Sequence, residues 1–250
     1  MSWTLDILHV KRYLEACERA SKYDNHFDNF KQDRSYKHVL EHVTKEEAET
    51  YLSLVKIKFS KQLELIKKND QFGNPDIYEF DKVGLMSPTT ARYLKNTSDI
   101  VSKFGKKHKS IIEIGGGYGG LATVLYPFVE YDSYLIIDLY EVNLLSRKYL
   151  KNFEYPILSH EISEIELEAD FEFDLLISNY AFSECERDVQ IEYINKFIRK
   201  SNKFYMIFND FGPNNIHHEE FIEMVSDQFD VDMEPDHDPN SPKVLYGTLK

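Results

Sequence analysis

Lys109-Ser-Ile-Ile-Glu113-Ile-Gly115-Gly-Gly117-Tyr-Gly119-Gly120 is the stretch on which the fold turns. An apolar run of strand length carries an acidic residue near its end, and five of the six positions 115–120 are glycine. Glycine has no Cβ and tolerates φ > 0, so such a turn lets the backbone come close to a bound group. A helical pattern, Leu121-Ala-Thr-Val-Leu-Tyr126, follows at once. Strand, glycine turn and helix start together form the corner that faces a nucleotide-bearing ligand at the carboxyl edge of a parallel sheet.

Downstream, strands and helices alternate. Strand patterns fall at 110–114, 133–137, 156–159, 173–178 and 203–208, with helical patterns at 141–152, 188–200 and 219–227. Two β-like pieces, 229–233 and 244–248, flank a turn rich in Pro, Asp and Asn. The pattern predicts an α/β fold with a doubly wound, mostly parallel, seven-stranded sheet of Rossmann-like type.

Upstream the reading is helical. One helix is expected over 4–22. Tyr36, Val39, Leu40 and Val43 share a helical face, and Thr44-Lys-Glu-Glu47 has capping-box spacing for a helix running to about residue 68. Residues 69–86 read as a loop, and Ser87-Pro88 as an N-cap followed by proline at the first helical position. The division expected is a helical cap region, 1–105, ahead of a core, 106–250. The N-terminal helices cover the ligand, bind an acceptor or form a homodimer contact. Thr90, Arg92 and Tyr93 sit at a helix start, where hydroxyls and a guanidinium suit a carboxylate or phosphate; the plain alternative is a capped helix with Arg92 in solvent.

The chain has 250 residues, 42% hydrophobic and 29% charged, with a net charge of −13. Its length allows one large domain with a helical attachment. The acidity argues against a general nucleic-acid binder, which needs clustered Lys and Arg, and against docking on an anionic membrane. Cys17 and Cys185 form no CxxC pair and read as free thiols of a reducing compartment. The N-terminal residues lack a basic lead and a long apolar core, and no apolar run approaches the ~20 residues of a membrane span, so a cytoplasmic location is expected.

Gly115-x-Gly117-x-x-Gly120 matches the dinucleotide fingerprint, and Asp138 ends the second strand 23 residues after Gly115, where a carboxylate can accept from two ribose hydroxyls. NAD and S-adenosylmethionine both carry that ribose. Three features favour S-adenosylmethionine. Glu113 suits a cationic amino-acid tail and repels a pyrophosphate. The βα pattern uses nearly all of the chain after the corner, leaving no second catalytic domain. The terminal β pair fits a sheet whose last strand runs antiparallel.

These residues resemble those of a known family. Residues 111–120, Ile136-Ile-Asp138-Leu139, Ser178-Asn-Tyr-Ala-Phe-Ser-Glu184 and Ser87-Pro-Thr-Thr-Ala-Arg-Tyr-Leu94 are similar to class I S-adenosylmethionine-dependent methyltransferases, and among them to the sugar O-methyltransferases of bacterial surface-glycan loci. The resemblance covers roughly residues 80–250. It implies S-adenosylmethionine as cofactor, with S-adenosylhomocysteine as product, held by Glu113, Gly115, Gly116, Gly117, Tyr118, Gly119, Asp138, Leu139, Asn179 and Tyr180, with Glu161 reaching the adenine. It implies methylation of a sugar, nucleotide sugar or phosphorylated small molecule in capsule or other surface polysaccharide synthesis. Such methyltransferases often carry His where this chain has Glu184.

Methyl transfer from a sulfonium needs alignment, and a sugar hydroxyl needs a general base. Glu184 and Asp210, on the loops after the fourth and fifth strands, come first; His217 follows, with His218 on the acceptor side and His160 after strand three. Each has an ordinary alternative: Glu184 can cap the next helix and the histidines can be solvated. Asp210, His217, His218 and Glu219 include possible ligands for a metal-assisted route, but no paired carboxylates follow the fifth strand and no metal is expected. Other readings are a phosphate- or phosphoramidate-type acceptor bound by Arg92, an NAD-dependent oxidoreductase, and a binding module without turnover. An RNA acceptor is disfavoured by the charge.

Overall fold

A computed structural model describes residues 7–160, 172–210 and 212–250. The chain forms two compact units that alternate along the sequence. One comprises Met1–Lys106, Gly117–Val129 and Leu139–Tyr155, the other Lys107–Gly116, Glu130–Asp138 and Pro156–Lys250.

The first unit is helical. It contains α1 (Ile7–Lys22), α2 (Asp24–Phe27), α3 (Arg34–Val39), α4 (Lys45–Leu54), α5 (Leu63–Lys67), a short hairpin β1 (Tyr78–Phe80) and β2 (Gly84–Met86), then α6 (Pro88–Phe104). The capping box forms as expected: Glu47 N–H donates to Thr44 Oγ1 at 3.2 Å and Thr44 N–H to Glu47 Oε2 at 2.8 Å. At the head of α6, Thr90 N–H donates to Ser87 Oγ at 3.1 Å, with Pro88 at the first turn.

The helix expected over 44–68 is corrected. α4 stops at Val55, which is extended (φ −66°, ψ 118°), and Lys56 N–H donates to Ser98 Oγ at 2.8 Å. From Val55 to Ser60, half-buried Val55, Ile57 and Phe59 alternate with exposed Lys56, Lys58 and Ser60, a period of two. The β1–β2 hairpin lies inside the expected loop 69–86; its three-residue strands are too short to register as periodicity.

After the glycine turn the same unit takes up α7 (Gly120–Leu125) and α8 (Tyr140–Leu150). Asn69 stitches its segments together. Its Nδ2 donates to Thr90 Oγ1 at 2.6 Å and to Tyr118 Oη at 3.1 Å, while its Oδ1 accepts from Tyr149 Oη at 2.7 Å and Thr123 Oγ1 at 3.3 Å. Asn69 is 1% exposed, so each bond satisfies a group that burial would otherwise penalise.

The second unit is the sheet: β3 (Ser110–Ile114), β4 (Ser133–Ile137), β5 (Ile157–His160), β6 (Leu175–Asn179), β7 (Lys203–Phe208), β8 (Phe229–Pro235) and β9 (Lys243–Leu249), with α9 (Ala181–Glu184), α10 (Arg187–Lys196) and α11 (His218–Val225). The strand order is β5-β4-β3-β6-β7-β9-β8; β3 to β7 pair in parallel, and β9 runs antiparallel to both neighbours. Ile112, Ile114, Leu176, Phe204, Met206 and Phe208 line one face and join Phe182, Ile194, Phe197 and Phe221 from the helices in a continuous core. All five residues of β3 are buried, as expected of a central parallel strand. The expected α/β sheet of seven strands is therefore the observed one. Among the described residues, no helix is long and apolar enough to cross a membrane.

Candidate active site at the carboxyl edge of the sheet

In the sheet unit, the ends of β3, β4, β6 and β7 carry Glu113, Gly115, Gly116, Asp138, Asn179, Tyr180, Glu184 and Asp210. Glu113, on β3, is 2% exposed, and its Oε2 accepts from the Tyr134 hydroxyl at 2.8 Å. Burial pushes its carboxyl up to about 7; the Tyr134 hydrogen bond opposes the rise and the charge of Asp138 adds to it. Two glycines follow. Gly115 has φ +74°, and a Cβ there would stand 2.0 Å from the Cβ of Ala181. A Cβ on Gly116 would stand 2.6 Å from Ile136 Cγ2 and 3.2 Å from Glu113 Oε2. No larger residue fits this cradle. Gly115 N–H donates to Ile137 C=O at 2.8 Å, which keeps the turn in register with β4.

Asp138 leaves β4 half-buried, its N–H directed to His160 C=O at 3.3 Å. Burial, then the charges of Asp138 and Glu184, push the Cys185 thiol up to about 12, so it is no nucleophile at neutral pH.

The end of β6 is the most constrained backbone of the unit. Tyr180 has φ +69° and ψ −41°, a conformation that side-chain-bearing residues rarely adopt. Its N–H donates to Ile207 C=O at 2.8 Å, and its hydroxyl reaches Asp236 Oδ2 at 3.3 Å. Ser178 Oγ donates to Ile114 C=O and accepts from Phe182 N–H, both at 3.1 Å, locking the ends of β6 and β3 together. Between them Asn179 presents a buried Oδ1 that has no hydrogen-bond partner among the described residues. Buried acceptors are seldom left so, and an unpaired one at a strand end points to a ligand donor.

After β7, Asp210 Oδ1 accepts from His218 N–H at 2.9 Å and its Oδ2 lies against His218 Nδ1. His218 Nε2 has no protein partner among the described residues. His217 Nε2 is 2.8 Å from Gly212 C=O. Glu184 is exposed, with Oε1 accepting from Asn209 Nδ2 at 3.1 Å. The β8–β9 loop lies at the same edge, since Pro235 and Phe208 both align with Lys243. It supplies Asp236, whose side chain is fully buried, with His237 Nδ1 at 3.1 Å. Sequence reasoning passed over Tyr134, Asp236 and His237, because only strand register and the hairpin turn bring them to this edge. Among the described residues, His, Cys, Asp and Glu nowhere gather in threes as a metal site would need.

In the helical unit, Gly117 (φ +56°) packs against Leu40, and Gly119 (φ +92°) caps α7 beside Leu150. Tyr118 is fully buried, with Lys31 Nζ 4.4 Å from its ring centre and Tyr149 edge-on to it. Leu139 is 53% exposed. Thr90 is fully buried and donates to Asp70 Oδ1 at 2.7 Å. Arg92 donates to Leu40 C=O at 3.2 Å, and Tyr93 lies against Tyr118. Thr90 and Tyr93 thus serve the interior of this unit. Glu161 lies outside the described residues.

No known family profile matches the chain, and a search of curated proteins finds no relative. Among solved structures, it is similar to the PH0226 protein from Pyrococcus horikoshii OT3, at 12% identity and a TM-score of 0.51, over 87% of this chain and 99% of that one. It is also similar to the N-methyltransferase NodS from Bradyrhizobium japonicum WM9, at 13% identity and 0.49, over 64% and 85% of the two chains. A SAM dependent methyltransferase from Aquifex aeolicus aligns at 16% identity and 0.48, over 62% and 89%. The fold is the class I methyltransferase fold. Five parallel strands closed by an antiparallel hairpin, with β9 inserted between β7 and β8, define it in this chain.

Proposed function

We propose that this chain is an S-adenosylmethionine-dependent O-methyltransferase acting on a sugar, nucleotide sugar or related small-molecule hydroxyl of surface polysaccharide synthesis. The observation that carries the cofactor reading is the pair of buried acceptors at one strand edge, the Glu113 carboxyl and the Asn179 Oδ1, which has no partner among the described residues. Both suit the N–H donors of a cationic amino acid. A pyrophosphate would instead meet the carboxylates of Glu113 and Asp138, which argues against a dinucleotide. Glu113, Gly115, Gly116, Asp138, Asn179 and Tyr180 are the sheet residues that would hold the cofactor, with Asp138 on the ribose hydroxyls. The bound sulfonium would supply an activated methyl group.

The protein's share of the chemistry is alignment, exclusion of water and removal of the acceptor proton. His218 is the base that the geometry favours. Asp210 occupies its Nδ1 and leaves Nε2 to face a hydroxyl, the arrangement in which a carboxylate orients an imidazole. Asp210 is then the orienting partner rather than the base, and Glu184 braces Asn209. The sugar class rests on the family resemblance alone.

Thermal-shift and calorimetric titration with S-adenosylhomocysteine and NADH tests the cofactor: stabilisation by NADH alone would sink this reading. Incubation with S-adenosylmethionine and a panel of nucleotide sugars and glycan intermediates, read as a one-methyl mass gain, tests the acceptor class.

A further inference from the structure

Tyr134 is the second residue of β4 and is 1% exposed. Parallel register sets it opposite Ile111, so its ring lies on the same face as Glu113, and its hydroxyl reaches the carboxyl diagonally at 2.8 Å. Glu113 Oε2, which takes this bond, is also the oxygen that would stand 3.2 Å from a Cβ on Gly116. Tyr134 therefore fixes the carboxyl rotamer against the glycine turn. The titratable groups acting on Glu113 are Tyr134 on β4 and Asp138 just past its end; its β6 partner Ile177 is apolar. Tyr134 is held far above its ordinary range by burial and by the Glu113 charge, so it stays a donor throughout the neutral range.

We propose that Tyr134 is a positioning residue that holds the Glu113 carboxyl against the glycine turn and stabilises its ionised form, so that uptake of a cationic cofactor is coupled to release of the Glu113 proton to solvent. This rests on the cofactor reading above. A donor to the carboxylate favours the charged form, whereas burial and Asp138 oppose it. The ammonium group of the cofactor tips the balance, and affinity rises as pH rises through the neutral range.

The test is calorimetric titration of the full chain with S-adenosylhomocysteine from pH 6 to pH 8. Wild type should bind about tenfold tighter at pH 8 than at pH 6, with about one proton released per ligand at pH 6 and almost none at pH 8, counted in buffers of different ionisation enthalpy. Tyr134→Phe should move the rise to higher pH, and Glu113→Gln should flatten it. Wild-type and Tyr134→Phe curves that superimpose, or a slope that persists in Glu113→Gln, would overturn the coupling while leaving the cofactor reading intact. Absence of wild-type binding at every pH would overturn both. If Tyr134→Phe does not fold, the wild-type proton count decides alone, and no proton released at pH 6 refutes the coupling.

Discussion

Glu113 titrates near 7 instead of its ordinary 4.5, because burial disfavours the charged form. The folded chain thus holds this proton more tightly than the unfolded chain. Its contribution to stability is complete below about 4.5 and is lost as pH rises through about 7, a loss on the order of 3 kcal/mol. Without added ligand, Glu113→Gln should therefore melt several degrees above wild type at pH 8 and close to it at pH 4.5, as read by thermal denaturation. Equal melting points at pH 8 would show that the carboxyl is better solvated than its 2% exposure implies. At the same scale, His218→Gln should lower kcat by about 10²–10⁴ with little change in cofactor affinity. Asp210→Asn should keep part of that activity, because the amide oxygen can still accept from His218 N–H and hold the ring in place. Glu113, Gly115 and Asp138 were legible in the sequence, since strand-end acids and glycines leave a spacing pattern. Asn179 was named there only through the family resemblance; that its Oδ1 has no partner among the described residues became visible once β6 was placed beside β3 and β7.

The glycine turn and the helix caps behave as units. Gly115→Ala meets both a left-handed φ of +74° and a 2.0 Å clash with Ala181. It should cost at least 1–3 kcal/mol and abolish S-adenosylhomocysteine binding, measured by denaturant unfolding and calorimetry together. Ser87→Ala removes the α6 cap and leaves Asp70 Oδ1 without the Ser87 hydroxyl. A loss of about 1–2 kcal/mol is expected in urea unfolding, above that of an isolated cap because Ser87 is 1% exposed. The caps at Thr44 and Ser87 were readable because capping chemistry is local. The end of α4 was not: the apolar residues of 52–66 fit a helical stripe, and the bond from Lys56 N–H to Ser98, 42 residues away, decides for extended chain at Val55.

Across the whole molecule, the chain passes between its two units five times, at 106/107, 116/117, 129/130, 138/139 and 155/156. Asn69 needs Tyr118, Thr123 and Tyr149 to satisfy its buried amide. A fragment of residues 1–106 lacks all three, so it should fail to give a cooperative unfolding transition, whereas the intact chain should give one. A soluble 1–106 fragment with dispersed amide resonances would contradict this. The net charge of −13 predicts that the intact chain passes through a heparin column unretained at physiological salt.

The sequence by itself determined the class of fold, the strand-turn-helix corner, the two carboxylates that bracket it and the local caps. These follow from periodicity, glycine's φ freedom and interactions within a few residues. Tertiary structure alone decided that Tyr134 donates to Glu113, that Asp210 holds His218, that Tyr118 and Thr90 belong to the interior of the helical unit, and that Asp236 and His237 stand at the carboxyl edge of the sheet. Those outcomes depend on strand register and on hydrogen bonds between distant segments, and a burial that no short window of sequence encodes.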